Sequence, residues 1–310
     1  MINISYLKKH IKGKILINEP LKNHTTFRIG GAADIMIIPE DVESLINIIK
    51  IANDNNIAWF VMGNGSNILV SDEGYRGIII KICKAINYIK IEGNKIVAGA
   101  GVILPYLSVY AAKNGLGSLE HLAGIPGTLG GAVVMNAGSC KEEIGNVVEE
   151  VKIINSEGEI ETLSKEDLKF GYRYSSLQNG SKIVLEVKLK LKKENPDVIK
   201  DRIRKILKKR REKFPLKYPN AGSIFKKPKD AYAGELIEKA GCKGLKVGDA
   251  KVSEKHANFI INLGNAKAKD VLFLLKKVRK RVYDKFGILL EPEITFLGFK
   301  DKNENNVLYS

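Results

Sequence analysis

Three side chains far apart in the chain could act on a carboxylate-bearing substrate. Arg173 lies between two aromatic residues in Tyr172-Arg173-Tyr174, Ser223 follows a glycine in a basic loop, and Glu293 lies within residues 290–294. They do not form a hydrolytic triad, because no base stands near the serine in sequence and a carboxylate alone activates a serine weakly. Each residue taken singly also fits a surface arginine, a loop serine or a strand-end carboxylate. The residue types alone therefore leave their role open.

Glycine-rich loops form the second set of candidate residues. None is a Gly-x-Gly-x-x-Gly dinucleotide fingerprint and none carries a phosphate-loop lysine, so a standard Rossmann or nucleoside-triphosphatase interpretation is poor. Glycines let a backbone approach a ligand closely, and consecutive N–H groups can hold an anion such as pyrophosphate. Three such loops together favour a large phosphate-bearing cofactor. The loops are Gly63-Asn64-Gly65-Ser66-Asn67, Gly99-Ala100-Gly101 and Gly124-Ile125-Pro126-Gly127-Thr128-Leu129-Gly130-Gly131.

The glycine loops lie between predicted strands and helices from Arg28 to about Lys192. Alternating or continuous apolar runs indicate strands, and apolar residues three and four apart indicate helices. The predicted strand Ile57–Met62 runs directly into the first glycine loop. The other predicted elements are strands Ala33–Ile38, Ile78–Ile82 and Lys182–Leu191, helices from Val42 to near Asn55 and Pro105–Asn114, and the hairpins Ile86–Ile91/Lys95–Ala98 and Val147–Asn155/Glu159–Leu163.

A basic amphipathic helix begins at Asn195-Pro196, a capping residue followed by a first-turn proline. After it we predict a loop at 215–228, a helix near Tyr232–Ala240, strands near Val247–Val252 and Asn258–Asn262, a long helix and a last strand, Ile288–Leu297. The predicted fold class is α+β. The domains are residues 1–195, with two subdomains split near residue 83, and a smaller α+β domain at 196–310.

Composition and charge exclude several classes of protein. The 310 residues carry 51 Lys and Arg against 35 Asp and Glu, a net charge of +16, and 44% are apolar, which is typical of a globular chain. No apolar run reaches the roughly 18 residues of a membrane span, and the N-terminus lacks the apolar region of a signal peptide. Cys83, Cys140 and Cys242 suit neither a disulfide framework nor a zinc site. We therefore expect a cytoplasmic protein with inert, partly buried thiols and no metal.

Most of the positive charge lies in one segment. Residues 188–227 contain sixteen Lys and Arg against four Asp and Glu, or +12 of the total. Either the basic helix has a solvated face, or it attracts a polyanion or a diphosphate. A reader of nucleic acid would interleave aromatic residues with the basic ones, and this helix has none.

Several ordered motifs between Asn23 and Gly298 resemble the UDP-N-acetylenolpyruvoylglucosamine reductase (UDP-N-acetylmuramate dehydrogenase) family. The interval from Arg173 to Ser223 is short, which resembles the compact form of that family, without an extra substrate-covering loop. The matching motifs are Thr26-Phe27-Arg28-Ile29-Gly30-Gly31, Gly63–Asn67, Leu122–Ala132, Met135-Asn136-Ala137-Gly138, Tyr172–Ser175, Ala221–Lys226 and Ser253–Phe259.

The resemblance implies a two-part N-terminal FAD-binding domain of the vanillyl-alcohol-oxidase/PCMH type, a C-terminal substrate domain and non-covalent FAD. In the implied reaction, NADPH reduces the flavin, and UDP-N-acetylglucosamine enolpyruvate becomes UDP-N-acetylmuramate, a peptidoglycan precursor needed for the cell wall, cell shape and division. The residues expected to bind the cofactor are Arg28, Gly63, Asn64, Gly65, Ser66, Asn67, Gly99, Gly101, Gly124, Pro126, Gly127, Thr128, Gly130, Gly131, Asn136 and Gly138.

The same resemblance assigns roles to the three candidate catalytic residues. Arg173 would clamp the carboxylate of the enolpyruvyl group, Glu293 would help polarise the enol, and Ser223 would give a proton to C2 after a hydride reaches C3. Arg211, Lys217 and Lys227 flank the serine loop and are candidates for the substrate diphosphate. His24, His121 and His256 are expected to be structural.

Two other functions remain open at this stage. Another FAD oxidoreductase of the same fold, such as an alcohol or sugar oxidase, would commonly tether its flavin through histidine or cysteine, and the Gly63–Asn67 loop contains neither. A basic nucleic-acid-binding protein would be colourless, and its affinity for DNA would fall steeply with salt. We expect the protein to bind neither nucleic acid nor a membrane.

Overall fold

The chain forms two compact units in a computed structural model that describes residues 4–82 and 85–299. The N-terminal unit takes the residues up to Ile17, together with Ile35–Asn64 and Gly77–Arg210. The C-terminal unit takes Asn18–Asp34, Gly65–Arg76 and the residues from Arg211 onward. Cys83 lies outside the described residues, and so does the predicted subdomain division near residue 83.

The sequence pattern predicts five of the seven described α-helices, and it does not predict the two short ones, Ile4–His10 and Leu129–Val134. Asp41 caps the second helix by accepting a hydrogen bond from the Ser44 N–H at 2.8 Å, and Thr128 caps the fourth. The α-helices are α1 (Ile4–His10), α2 (Val42–Asp54), α3 (Leu104–Lys113), α4 (Leu129–Val134), α5 (Pro196–Lys213), α6 (Ala233–Lys239) and α7 (Ala268–Phe286).

The described strands are short, and most belong to the N-terminal unit. They are β1 (Gly13–Pro20), β2 (Ala32–Pro39), β3 (Trp59–Met62), β4 (Ile68–Val70), β5 (Tyr75–Lys81), β6 (Ile89–Glu92), β7 (Lys95–Gly99), β8 (Leu116–Gly117), β9 (Gly138–Ser139), β10 (Glu142–Glu143), β11 (Val148–Ile154), β12 (Ile160–Ser164), β13 (Ile183–Lys190), β14 (Lys192–Lys193), β15 (Lys246–Val247), β16 (Ala250–Val252), β17 (Ile260–Asn262) and β18 (Thr295–Leu297).

The N-terminal unit contains an antiparallel sheet in the order β12-β11-β13-β7-β6. Its core includes Ile96, Val151 and Val187 from the sheet and Leu107 and Leu129 from α3 and α4. A second sheet has the order β1-β2-β5-β3, with β3 parallel to β5, and the chain crosses between the units within β1, β2 and β5. The apolar face of α2 contributes to a second core beside that sheet. This arrangement places the first two glycine loops at the ends of β3 and β7, and the third at the start of α4.

The C-terminal unit has its own core around α7. Val271, Leu275, Val278 and Val282 are buried, as their periodicity predicts. They belong to the same core as residues of α6, the β15-β16-β17 sheet and the parallel pair β4/β18. Asp72 fastens the start of α7, since its carboxylate accepts hydrogen bonds from the Ala268 and Lys269 N–H groups at 2.8 and 3.1 Å. Mixed helix and strand content confirms the α+β class.

The units differ from the predicted domains, 1–195 and 196–310, in the placement of α5. Residues of α5 up to Arg210 belong to the N-terminal unit. There Ile199 and Ile203 are buried with Ala112 and Ala123. The pattern correctly predicts a helix with one buried face. It cannot predict which part of the protein packs against that face. The segments 18–34 and 65–76, which lie early in the sequence, join the C-terminal unit instead.

Two strand predictions near the C-terminus differ from the structure. Residues 247–252 form a hairpin rather than one strand, because Gly248 has a φ of +52° and reverses the chain between β15 and β16. Of the predicted strand Ile288–Leu297, only Thr295–Leu297 is regular, since Pro292 interrupts it. The upstream part makes a single bridge from Pro292 to Phe225. That bridge brings Glu293 beside the serine loop.

Among the described residues, no helix has both the length and the apolar character needed to cross a bilayer. Nor do His, Cys, Asp and Glu side chains of residues 4–82 and 85–299 form a group of three that could hold a metal ion. Cys242 is buried, whereas Cys140 is exposed rather than partly buried as we expected.

Candidate active site

The structure brings parts of the three glycine-rich segments together in the N-terminal unit. Asn64 donates a hydrogen bond from Nδ2 to the Pro126 carbonyl at 2.5 Å. The Gly130 N–H donates to the Ala100 carbonyl at 2.9 Å. A bridge between Ile103 and Thr128 runs alongside these contacts. The sequence identifies the loops, and the sheet places them next to each other.

The glycines at these contacts are needed because the loops press on each other. A Cβ on Gly63 would lie 2.2 Å from the Thr128 Oγ1, and a Cβ on Gly130 would lie 2.8 Å from the Ala100 Cβ. Gly99 and Gly138 are similarly crowded by main chain, of Ile86 and Glu142 respectively. The reason inferred from sequence, close approach of a ligand, is therefore not what these four positions display. Gly131 is exposed at the start of α4 and has more space.

Arg210 is a partly buried cation that the sequence patterns did not single out. A Cβ on Gly124 would lie 2.2 Å from the Arg210 Cδ, so the arginine stem covers the start of the third glycine segment. Burial lowers the pKa of the Arg210 guanidinium, and the nearby Cys140 opposes that effect. Arg210 lies seven residues after Ile203 and therefore on the buried face of α5, a signal that could have singled it out.

The hydrogen bonding of the main chain at residues 63–67 shows whether these residues suit the flavin that the resemblance implies. The N–H groups of Gly63, Asn64, Gly65, Ser66 and Asn67 donate to no acceptor within the described part of the chain. Gly65 has a φ of +60°, a conformation typical of a nest of amides that holds an anion. Thr25, whose main chain packs near Gly65, has a buried hydroxyl with no described partner. These donors are neutral and unused, so the residues fit a cofactor with a pyrophosphate.

Arg173 is held in a tight turn of the N-terminal unit. Gly171 and Tyr174 exchange two main-chain hydrogen bonds of 3.0 Å around it, and Arg173 has a φ of +54°, which is uncommon for a residue with a side chain. Its guanidinium donates to the Gly138 carbonyl at 3.1 Å and lies 3.7 Å from a Glu143 carboxylate oxygen. The guanidinium carbon also stacks 5.0 Å from the centre of the Tyr172 ring. A strained turn that fixes a cation is typical of functional sites.

Asn136 supports the Arg173 turn in this structure. Its buried amide donates to the Gly171 carbonyl and to a Glu143 carboxylate oxygen, each at 2.8 Å, and accepts from the Gly145 N–H at 3.0 Å. Asn136 and Gly138, which the resemblance assigns to the cofactor, therefore contact the arginine segment directly. Glu143 is a further residue that sequence analysis missed, because a single carboxylate in a polar loop carries no periodic signal.

Ser223 lies in a loop of the C-terminal unit whose main chain is fixed on both sides. Asn220 closes the start of the loop through its own side chain, which accepts from the Gly222 N–H at 2.9 Å. Gly222 has a φ of +79°. The Ser223 hydroxyl has no hydrogen-bond partner among residues 4–82 and 85–299. The serine is half-buried, so its hydroxyl remains available to a ligand.

Glu293 is brought next to the serine loop in the same unit. Its N–H donates to the Ile224 carbonyl at 2.7 Å, and the Lys226 N–H donates to the Glu291 carbonyl at 2.8 Å. Asn67 holds the other side of Glu293, since its Nδ2 donates to the Glu293 carbonyl at 3.1 Å. Ser223 and Glu293 are thus on adjacent, hydrogen-bonded segments, whereas Arg173 belongs to the N-terminal unit.

Four of the remaining predicted site residues are exposed basic residues of the C-terminal unit. Arg28 is exposed with a φ of +56°, and Asn262 holds this turn by donating to the Phe27 carbonyl at 3.1 Å. Arg211 and Lys217 are exposed, and the Lys227 ammonium lies 4.7 Å from the centre of the Tyr232 ring. Ser66, Gly101 and Gly127 lie in their loops as predicted. Their contacts with ligands stay predictions.

Two histidines are buried with lowered pKa values. Burial lowers the pKa of His121, with Glu142 and Glu120 opposing it. Burial, reinforced by Lys213 and Lys243, lowers the pKa of His256 to about 4. The His256 ring packs between Phe214 and Phe259, with ring centres 5.1 Å from each. Because its pKa is about 4, the His256 ring is neutral near pH 7.

Comparisons with known proteins match both parts of the chain. Residues 33–164 match a family model described as an FAD binding domain, and residues 214–297 match the C-terminal domain of UDP-N-acetylenolpyruvoylglucosamine reductase. The N-terminal FAD-binding domain and the separate C-terminal domain are thus confirmed in their order.

Whole-chain relatives carry the same name. The UDP-N-acetylenolpyruvoylglucosamine reductase of Clostridium tetani is 49% identical over 281 residues, covering 91% of each chain. That of Caldanaerobacter subterraneus subsp. tengcongensis is 47% identical over 300 residues, covering 96% of this chain and 99% of the relative. The crystal structure of the enzyme from Thermus caldophilus superposes with a TM-score of 0.79 at 37% identity, covering 93% of this chain and 99% of that one. Because its fold, its motifs and almost its full length match these relatives, the chain belongs to the UDP-N-acetylenolpyruvoylglucosamine reductase family.

Proposed function

We propose that this protein reduces UDP-N-acetylglucosamine enolpyruvate to UDP-N-acetylmuramate, with non-covalent FAD as cofactor and NADPH as the source of electrons. The observation that carries the proposal is the pairing of the Ser223 loop with the Glu293 segment, through the 2.7 Å hydrogen bond from the Glu293 N–H to the Ile224 carbonyl. A hydroxyl with no hydrogen-bond partner among the described residues, beside a carboxylate-bearing segment, suits delivery of one proton to a bound substrate. Family membership at 49% identity supports the choice of substrate.

The residues that would hold FAD are the unused amides of residues 63–67 and the loops packed beside them. Their neutral donors bind a pyrophosphate without adding charge near the reacting carbon. When bound, FAD would supply the hydride that is added to the vinyl carbon C3 of the substrate. The loop 63–67 contains no histidine or cysteine that could tether the flavin covalently.

Arg173 would bind the carboxylate of the enolpyruvyl group. Negative charge spreads from C2 into that carboxylate when C3 gains a hydride, and a fixed guanidinium stabilises the enolate that results. The contacts of Arg173 with the Gly138 carbonyl and the Tyr172 ring fix the plane of the guanidinium in advance. Preorganisation of this kind means that little energy is spent on orienting the cation during the reaction.

Ser223 would donate its hydroxyl proton to C2, which completes the lactyl ether, and water would then return a proton to the serine oxygen. A hydroxyl is a weak acid at pH 7, but a carbanion at C2 is basic enough to take its proton. Glu293 would orient the enol and help polarise it. Its segment is fixed to the serine loop on one side and to Asn67 on the other.

The diphosphate of the substrate would be met by Arg211, Lys217 and Lys227, which are all exposed on the C-terminal unit. Several basic residues of α5 form ion pairs within the protein instead. Arg202 pairs with Glu120 and Glu194, and Lys200 and Lys205 pair with aspartates of their own helix. We place the reaction in the cytoplasm, as a step of peptidoglycan precursor synthesis.

The test separates the two half-reactions in the Ser223→Ala variant. Reduction of the flavin by NADPH is expected to stay within about twofold of the wild-type rate, because the serine takes no part in it. Reoxidation by the enolpyruvyl sugar nucleotide is expected to slow by about 100-fold or more, as for loss of a general acid. Stopped-flow flavin absorbance measures both. Equal losses in both half-reactions would show that the serine positions the cofactor instead.

A further inference from the structure

We propose that Asn258 is a positioning residue for Ser223, acting by fixing the main chain of the two residues that follow the serine. This inference rests on the proton-donor role proposed for Ser223. Asn258 is 93% buried, since its exposed fraction is 7%. It lies in the turn before β17, in the same unit as the serine loop.

The side-chain amide of Asn258 pairs with the main chain of Phe225 as a neighbouring strand would. Its Oδ1 accepts from the Phe225 N–H at 3.0 Å, and its Nδ2 donates to the Phe225 carbonyl at 2.8 Å. Its own carbonyl accepts from the Ile224 N–H at 2.9 Å. Three hydrogen bonds from one residue therefore fix the two positions directly after Ser223.

The three hydrogen bonds of Asn258 also set the distance between the serine loop and the Glu293 segment. Ile224 donates to Asn258 through its N–H and accepts from the Glu293 N–H through its carbonyl at 2.7 Å. The peptide joining Ser223 to Ile224 is thus fixed by Asn258 on one side, while Glu293 is fixed to the next carbonyl. A shift of Asn258 would move the serine and the glutamate segment together.

Nothing in the described part of the chain holds the serine hydroxyl itself. Its position depends on the main chain, which Thr26 fixes at the other end by donating from Oγ1 to the Asn220 carbonyl at 2.8 Å. Between these two fixed points lies Gly222, whose φ of +79° is a conformation that favours glycine. Positioning of a proton donor within about 1 Å is worth roughly 100-fold in rate.

Only a side chain with one acceptor and one donor in this arrangement satisfies both groups of Phe225. An ionised carboxylate in place of the amide keeps an acceptor for the N–H but sets a second oxygen against the Phe225 carbonyl. A protonated carboxyl restores the pair, because its O–H can donate to that carbonyl. The two protonation states of the Asn258→Asp variant therefore differ in this hydrogen bond and in one buried negative charge, and both differences favour the protonated form at this position.

The experiment measures both half-reactions of Asn258→Asp across pH, as a ratio to wild type. At pH 8 we expect reoxidation by the enolpyruvyl sugar nucleotide to fall by about 100-fold, with NADPH-driven reduction within about twofold. Burial raises the pKa of the new carboxyl, so the deficit should shrink to about tenfold or less near pH 5.5. The charged groups nearby are Lys213, Lys243 and Glu238, which face His256, and the His256 pKa of about 4 lies below this pH range.

A matched control is Asn155→Asp. Asn155 closes a hairpin in the N-terminal unit, where its Oδ1 accepts from the Glu157 and Glu159 N–H groups at 2.9 Å each. Like Asn258, it accepts from main chain through Oδ1, but its Nδ2 donates to the Glu159 and Glu161 carboxylates, and it lies far in sequence from the serine loop. Both half-reactions of this variant should match wild type at every pH.

Three outcomes would overturn the proposal. They are an unchanged reoxidation rate in Asn258→Asp, equal losses in both half-reactions, and a deficit that does not depend on pH. If Asn258→Asp fails to fold, Asn258→Ala removes both side-chain bonds to Phe225, and reoxidation slowed by about 100-fold is expected, with an unchanged rate overturning the proposal. Ser223→Ala measured in parallel separates the two claims: normal reoxidation there refutes the role of the serine, whereas normal reoxidation in Asn258→Asp alone refutes only the positioning role.

Discussion

Replacing Arg173 with lysine tests whether the planar guanidinium, rather than its charge alone, acts in the reaction. The arginine donates to the Gly138 carbonyl at 3.1 Å, lies 3.7 Å from the Glu143 carboxylate and stacks on Tyr172. These contacts fix the orientation of the guanidinium, and its planar fork of N–H donors matches a carboxylate bidentately. A lysine has one compact ammonium, and its preferred acceptors here are the Gly138 and Glu143 oxygens.

The expected magnitude follows from the hydrogen bonds that lysine would lose. A hydrogen bond to a charged group contributes about 1.5–3 kcal/mol, and losing one from the transition state lowers the rate by roughly 10- to 150-fold. We expect Arg173→Lys to slow reoxidation by about 100-fold, and Arg173→Ala by no more than about ten times further. The lysine would keep the charge but lose the paired donors that match a carboxylate.

The assay is stopped-flow reoxidation of the reduced flavin by the enolpyruvyl sugar nucleotide, with NADPH-driven reduction as the internal reference. Arg76→Lys is the control. Like Arg173, Arg76 bonds to main chain and lies beside a carboxylate. It donates to the Ala32 and Glu73 carbonyls and pairs with Asp34 at 2.6 Å, but it is exposed. It should change either rate by less than about twofold. Full activity in Arg173→Lys would refute the clamp role.

Three further outcomes are expected. Ile203→Ala should lower the free energy of unfolding in urea by about 2–4 kcal/mol, because Ile203 is buried against Ala112 and Ala123, and the same loss in the exposed Val198→Ala would contradict the packing of α5. His256 has a folded pKa of about 4, below its usual 6.5, so stability should fall as pH drops from about 6.5 towards 4; His256→Phe should flatten that slope in thermal unfolding, and an unchanged slope would refute the assignment. Acid precipitation should release all of the flavin to the supernatant, whereas flavin retained on the chain would refute non-covalent binding.

The sequence predicts local structure well where a periodic pattern is long. The spacing Ile199, Ile203, Ile206 and Leu207 predicts α5, and the helix is present from Pro196 to Lys213. The same pattern cannot predict the partner of the buried face, because any apolar surface satisfies it. The boundary at residue 195 is therefore displaced to residue 210 in the structure.

The candidate site shows a similar division between what patterns reveal and what the fold decides. Ser223 and Glu293 are identifiable from motifs, but their adjacency depends on a bridge between Phe225 and Pro292, which lie far apart in sequence. Asn258 and Asn136 act through single buried amides, and an isolated asparagine carries no periodic signal. The glycines are visible in sequence, yet the physical reason for Gly63 and Gly130 is contact with Thr128 and Ala100.

The most direct test of the proposed activity follows flavin absorbance in the purified protein under anaerobic conditions. The account predicts a yellow protein whose absorbance is bleached by NADPH and recovers when UDP-N-acetylglucosamine enolpyruvate is added, with one UDP-N-acetylmuramate formed per flavin reoxidised. A colourless protein that binds DNA in a salt-dependent way, or a reduced flavin that the enolpyruvyl sugar nucleotide does not reoxidise, would contradict it.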